Sequence, residues 1–166
     1  NSDPLSLIKY DKDHKKIWTK NFNGLTKNKE SLTGRELLIS ESGNLYTHIQ
    51  HSKYDKSGGY GYNTSHIFSI DPDGNTIWNK EIKSDLESTH PGRNNGNWEF
   101  ANATSFAVDD NDNTYVIGSF TGTYKGNKTN SDRDRFIEKF DKNGKSIAYK
   151  LLTTSSNEFL RNIVIS

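Results

Sequence analysis

Apolar and polar residues alternate over short runs along this chain, and clusters of Asp, Asn and Gly separate the runs. Alternation with a period of two predicts strands, and the clusters between them predict tight turns. The pattern also repeats. "LIKYDKDHKKIWTK" (Leu7 to Lys20), "IFSIDPDGNTIWNK" (Ile67 to Lys80) and "IEKFDKNGKSIAYK" (Ile137 to Lys150) align without gaps. Asp11, Asp71 and Asp141 coincide, as do Ile17, Ile77 and Ile147, and Lys20, Lys80 and Lys150. A second element follows, "LLISESGNLYTHI" (Leu37 to Ile49) and "FAVDDNDNTYVIG" (Phe106 to Gly118), and "NIVIS" opens a third. Each copy reads as strand, turn, strand, loop, strand, turn, strand. Four strands in roughly 60 residues is the grammar of a β-propeller blade. No stretch predicts a long amphipathic helix; "KSDLEST" comes nearest. The expected fold is all-β, in blades of four antiparallel strands forming an incomplete propeller or a fragment of a larger one. The segment 1–166 divides into copies near 5–62, 66–130 and 136–166.

The turns carry their own chemistry. In "DPDGN", "DKNG", "ESGN" and "DDNDN" a Gly or Asn supplies positive φ, and a leading Asp accepts hydrogen bonds from the turn's N–H groups. Gly74 and Gly144 are therefore expected at positive φ, and His14, which aligns with them, in the same conformation. "SIDPDGNTIW" also has the residue order of a sialidase Asp-box, at different spacing, and two of the carboxylates of a calcium loop. Asp71 and Asp73 bring no clear third ligand, so an architectural turn is the reading. Trp18 and Trp78 align and are expected to be mostly buried between neighbouring sheets.

The run "DRFIEKFDKNGKSIAYKLLTTSSNEFLRNIVIS" and the overlapping "DNDNTYVIGSFTGTYKGNKTNSDRDRFIEKFD" resemble the bacterial seven-bladed β-propeller repeat family. That family's blade runs D-x-F-(I/V)-x-K-(Y/F)-x-x-x-G, then a W-x-K strand, then D-x-x-G-N-x-Y-V-x-G. The likeness is good over Asp132 to Ser166 and Phe106 to Gly118, and moderate over Ile67 to Lys80. It is poorer in the first copy, where His14 replaces the turn Gly and "LYTHI" replaces Y-V-x-G. The resemblance implies a non-enzymatic repeat module, a structural and interaction scaffold in a secreted or surface-exposed bacterial protein. The partner it implies is the remainder of a larger chain, or other copies of this one, to close the ring. The chain has no Met and stops at "RNIVIS", mid-strand, so a partial polypeptide or a self-completing ring is expected.

Composition narrows this reading little. Hydrophobic residues make up 30% of the 166 and mean hydropathy is −0.92, so the core must be thin; aromatics at 11% suit sheets. The 22 basic and 21 acidic residues are interspersed, giving no basic stripe for nucleic acid and no polybasic membrane patch. No apolar run is long enough for a membrane span. Zero cysteines exclude disulfides and thiol catalysis.

Signatures of catalysis are missing: no Gly-x-Ser-x-Gly, Walker loop, His-Glu-x-x-His or Rossmann triplet. "SGGYGYN" precedes no helix and reads as a loop, and the three Asn-x-Ser/Thr triplets are what an Asn-rich chain produces by chance. His48 and His51, three apart on a strand, point to opposite faces and cannot share a metal. Asp110, Asp112 and Thr114 alternate in "VDDNDNT" and form the better calcium candidate, beside the simpler reading as a hairpin turn. The long loop "KSDLESTHPGRNNGNWEF" (Lys83 to Phe100) gathers His90, Arg93, Asn94, Asn95, Trp98 and Glu99. Insertions on one face of a repeat often carry function, and a Trp and an Arg among amides suit a glycan or protein ligand. Two alternatives to the scaffold follow. One is a lectin-like carbohydrate binder using this loop. The other is part of a propeller enzyme, a glycosidase or quinoprotein, with its active site partly outside the chain.

Overall fold

The alternating runs become strands and the Asp/Gly clusters become the turns between them. The computed structural model describes residues 5–26, 30–54, 61–85, 100–129, 133–152 and 160–165. A first hairpin pairs β1 (Ser6–Tyr10) with β2 (Lys16–Asn21), and a 3₁₀ turn at Asn23–Leu25 follows. Then β3 (Ser31–Ile39), β4 (Leu45–Tyr54), β5 (Gly61–Ile70) and β6 (Thr76–Ile82) form a four-stranded antiparallel sheet in chain order. A second begins with β7 (Phe100–Val108) and β8 (Thr114–Thr121), and a small hairpin of β9 (Thr123–Tyr124) and β10 (Asn127–Lys128) intervenes. It ends with β11 (Asp134–Phe140) and β12 (Ser146–Leu152), in the order β7-β8-β11-β12. The fold is all-β and blade-like, as the periodicity predicts. No helix among the described residues is long and apolar enough to cross a membrane.

Sheets and sequence copies are out of phase by one hairpin. β4 and β5 pair from Leu45↔Ile70 to Tyr54↔Gly61, across the boundary between the first two copies. Each copy therefore opens with the outer hairpin of one sheet and closes with the inner hairpin of the next. The copies are nevertheless equivalent in register. The three outer hairpins share a register shift beside the turn, at Lys9/Tyr10, Ser69/Ile70 and Lys139/Phe140. The inner strands share one at Gly34/Glu36 and Ala103/Ser105.

Five turns have a single geometry. The first residue's N–H donates to the fifth residue's carbonyl, and the fourth N–H to the first carbonyl, in turns starting at Asp11, Ser40, Asp71, Asp109 and Asp141. The fourth residue has positive φ throughout: His14 60°, Gly43 85°, Gly74 93°, Asp112 61° and Gly144 75°. His14 thus adopts the expected conformation. Where Asp leads, its Oδ1 accepts from the third and fifth N–H groups at 2.8–3.0 Å. The Asn75 side chain and these backbone donors hold Asp71 below the usual carboxylate range. "SIDPDGNTIW" is a hairpin turn, as expected.

Two layers of apolar packing result. Tyr46, Ile67, Trp78 and Ile82 of the first sheet meet Phe106, Val116, Phe120 and Phe136 of the second. The first hairpin closes the other face of the first sheet over Phe22, Leu45, Ile49, Phe68 and Ile70. Gly118 is the smallest possible residue for a physical reason: a Cβ there would sit 2.2 Å from the Asn102 carbonyl oxygen and 2.4 Å from the Phe136 ring.

Candidate functional site

The contacts that recur with the repeat lie between hairpins. Trp18 on β2 donates its indole N–H to the Pro72 carbonyl at 3.0 Å, while Lys9 Nζ donates to the same oxygen at 2.7 Å. Lys20 Nζ donates to the Gly74 carbonyl at 3.0 Å. The indole lies against the turn glycine, where a Cβ on Gly74 would be 3.0 Å from the ring. Trp78 repeats the arrangement one unit on. Its indole N–H donates to the Lys142 carbonyl at 3.1 Å, and a Cβ on Gly144 would stand 2.7 Å from Trp78 Cγ. A strand-borne Trp thus clasps the next hairpin's positive-φ turn. The two Trp residues are equivalent, as expected, though not equally buried. Trp78 is 6% exposed, with Tyr46 and Phe140 rings 6.1 Å away; Trp18 sits on a two-stranded hairpin and stays partly exposed.

Polar stitches join the two sheets further in. The Ala103 N–H on edge strand β7 donates to Ser65 Oγ at 3.0 Å, and the Phe106 N–H to Glu36 Oε2 at 3.1 Å. These bonds satisfy backbone donors that an edge strand would otherwise present to another chain. At the turn end, Ser42 Oγ and Asn44 Nδ2 donate to Asp112 Oδ2 at 2.7 and 3.2 Å. Burial pushes the Asp112 carboxyl up, but hydrogen bonds from Ser40, Ser42, Asn44 and Tyr46 outweigh it and leave the group below its ordinary value.

This geometry bears on the calcium candidate. Asp110 is exposed at the corner of the turn, Asp112 occupies the positive-φ slot facing Ser42 and Asn44, and Thr114 is fully buried on β8. Among the described residues no three His, Asp or Glu side chains form a group able to hold a metal. His90, Arg93, Asn94, Asn95, Trp98 and Glu99 of the long loop lie outside the described residues.

The histidines point to opposite faces, as the strand period requires. Because both faces are covered, His48 is buried. Its Nε2 lies 3.0 Å from Ser65 Oγ. Burial, assisted by electrostatic repulsion from Arg35 and His66, lowers His48 to about 4. On the other face, His51 Nε2 meets Glu30 Oε2 at 3.0 Å, and His51 Nδ1 meets His66 Nε2 at 3.4 Å. Glu81 Oε1 stands 4.0 Å from His66 Nε2. Two buried imidazoles thus lie in a row between two half-buried carboxylates. Sequence reading missed it because its members come from four separate segments. Only the register, with Ile49 opposite His66 and His51 opposite Thr64, makes the two imidazoles diagonal neighbours.

A fully buried carboxylate, Glu138, accepts from the Tyr124 hydroxyl at 2.7 Å and pairs with Lys125. Burial first, and the Glu138 charge second, raise the Tyr124 phenol well above its ordinary value. Asp85 caps the β9–β10 turn, accepting from Lys125 and Gly126 N–H groups at 3.0 and 2.6 Å. No protein-family model and no curated protein matches this chain.

Proposed function

We propose that this chain is a non-enzymatic β-propeller scaffold, a segment of blades that stack by a repeated clasp and offer their outer surfaces to partners. The observation that carries the reading is the Trp-to-turn contact, made in the same register at two successive junctions. A contact that propagates from unit to unit is the interaction a blade array requires, since each unit is stabilised mainly by its neighbours. The likeness to the bacterial seven-bladed repeat supports the same reading, and with it a secreted or surface-exposed location and a glycan or protein ligand. Completion of the ring falls to the rest of a longer polypeptide or to further copies of the chain.

The test is to image the assembled protein by electron microscopy and to screen it against glycosidase substrates. The expected result is blades set radially about an axis, with no turnover. A linear or face-to-face stack of sheets, or turnover of a glycoside, would overturn the proposal.

A further inference from the structure

The clasp has two halves, a Trp on a strand and a glycine at the fourth position of the next turn. In this chain each half is altered once. Ala148 stands on β12 where Trp18 and Trp78 stand on β2 and β6, and His14 stands in the first turn where Gly74 and Gly144 stand in theirs. The two alterations fall on the two surfaces that no described hairpin covers. One is the outer face of the first hairpin, where Ile8 and Tyr10 are 42% and 54% exposed; their equivalents, Phe68 and Ile70, are 6% and 0% exposed beneath a neighbour. The other is the β12 face, where Ala148 and Lys150 are exposed while the equivalent Trp78 is buried.

The alterations are also complementary in shape. At this turn position a side chain's first carbon points toward the clasping ring, at 2.7 Å from Trp78 for Gly144 and 3.0 Å from Trp18 for Gly74. A histidine held there at φ 60° would collide with an indole but has room above an alanine. The lysines that flank the first clasp recur beside Ala148, although Ser69 stands in the Lys9 position at the second. Lys139 and Lys150 occupy the positions of Lys9 and Lys20, whose ammonium groups bind the Pro72 and Gly74 carbonyls. Their counterparts on the first turn are the carbonyls of Lys12 and His14.

We infer that the first hairpin of one copy docks on the β11–β12 hairpin of a second copy, head to tail, with the His14 imidazole seated over Ala148. This deepens the scaffold reading and rests on it, because the docking pose is the clasp seen twice within the chain. Such a contact is heterologous and closes a ring when the rotation per copy allows.

The test uses sedimentation velocity over a concentration series, with Ala148→Trp, His14→Gly and the double variant. Wild type is expected to self-associate. Ala148→Trp should weaken association about tenfold or more, by overfilling the seam, and His14→Gly should weaken it less. The double variant recreates the clasp and should recover at least wild-type association, a coupling that independent sites would not show. Because the chain has no cysteine, mixing His14→Cys with Ala148→Cys chains should give an intermolecular disulfide under oxidation. A wild type that stays monomeric throughout would overturn the proposal. So would association indifferent to Ala148→Trp, or a mixture that forms no mixed disulfide. Those failures would leave a radial blade assembly seen by microscopy intact, whereas a non-radial assembly would remove the scaffold reading as well.

Discussion

Replacing Gly144 with alanine puts one methyl group into the clasp, and Gly126 supplies the control. Both glycines have φ 75°, so an alanine at either carries the same left-handed strain. That strain is about 1–2 kcal/mol, partly offset by the smaller entropy of the unfolded alanine chain, for a net cost of roughly 1 kcal/mol. The surroundings differ. A Cβ at Gly126 meets nothing within 4 Å, whereas at Gly144 it lies 2.7, 2.8 and 3.0 Å from three Trp78 atoms. The indole cannot swing aside freely, because its N–H is bonded to the Lys142 carbonyl at 3.1 Å and Tyr46 and Phe140 flank it. Overpacking of this kind adds about 2 kcal/mol, which puts Gly144→Ala near ~3 kcal/mol in all. Gly74→Ala, with contacts of 3.0–3.3 Å to the less buried Trp18, should fall between the two. Urea unfolding at 25 °C, followed by circular dichroism with m-values compared, measures all three. In a Trp78→Ala background the gap between the Gly144 and Gly126 variants should vanish. Equal losses in wild type, or a gap that survives removal of Trp78, would refute the clasp as a source of stability.

Three further outcomes are expected. The folded value of His48, about 4, lies below its ordinary 6.5, so the unfolded chain binds the proton more tightly; the stability this contributes is complete above that ordinary value and drains as pH falls toward 4. The loss amounts to about 3 kcal/mol, and a His48→Gln variant should show a shallower fall of unfolding free energy with acid; identical slopes would remove this group from the account. Glu138→Ala leaves the buried Tyr124 hydroxyl and the Lys125 ammonium without their acceptor, and should cost about 3–5 kcal/mol by thermal or urea unfolding; a loss within error of zero would show that the site re-solvates. Ser65→Ala removes the acceptor of the Ala103 N–H, so hydrogen exchange at Ala103 should quicken while Phe106, held by Glu36, keeps its protection; equal change at both amides would contradict separate stitches.

Local order was legible in the sequence because it depends on neighbours along the chain. Alternation set the strands, and the Asp-led turns followed from side chains that bond their own backbone, down to positive φ at His14 and Gly74. Repetition of those local patterns was enough to reveal blade-like units and the equivalence of Trp18 with Trp78. Phase was not legible. A repeat reads the same wherever it is cut, so only the pairing of β4 with β5 shows that sheets straddle the copies. Nor could spacing along the chain place Asp112 against Ser42 and Asn44, or Glu30, His51, His66 and Glu81 in one row. Those groupings depend on which face each strand presents and which sheet packs over it, quantities set by burial across the whole molecule. The meaning of the exchanged pair, His14 and Ala148, emerged the same way. Each is only an isolated departure from a repeat until the tertiary structure shows that glycine and Trp touch.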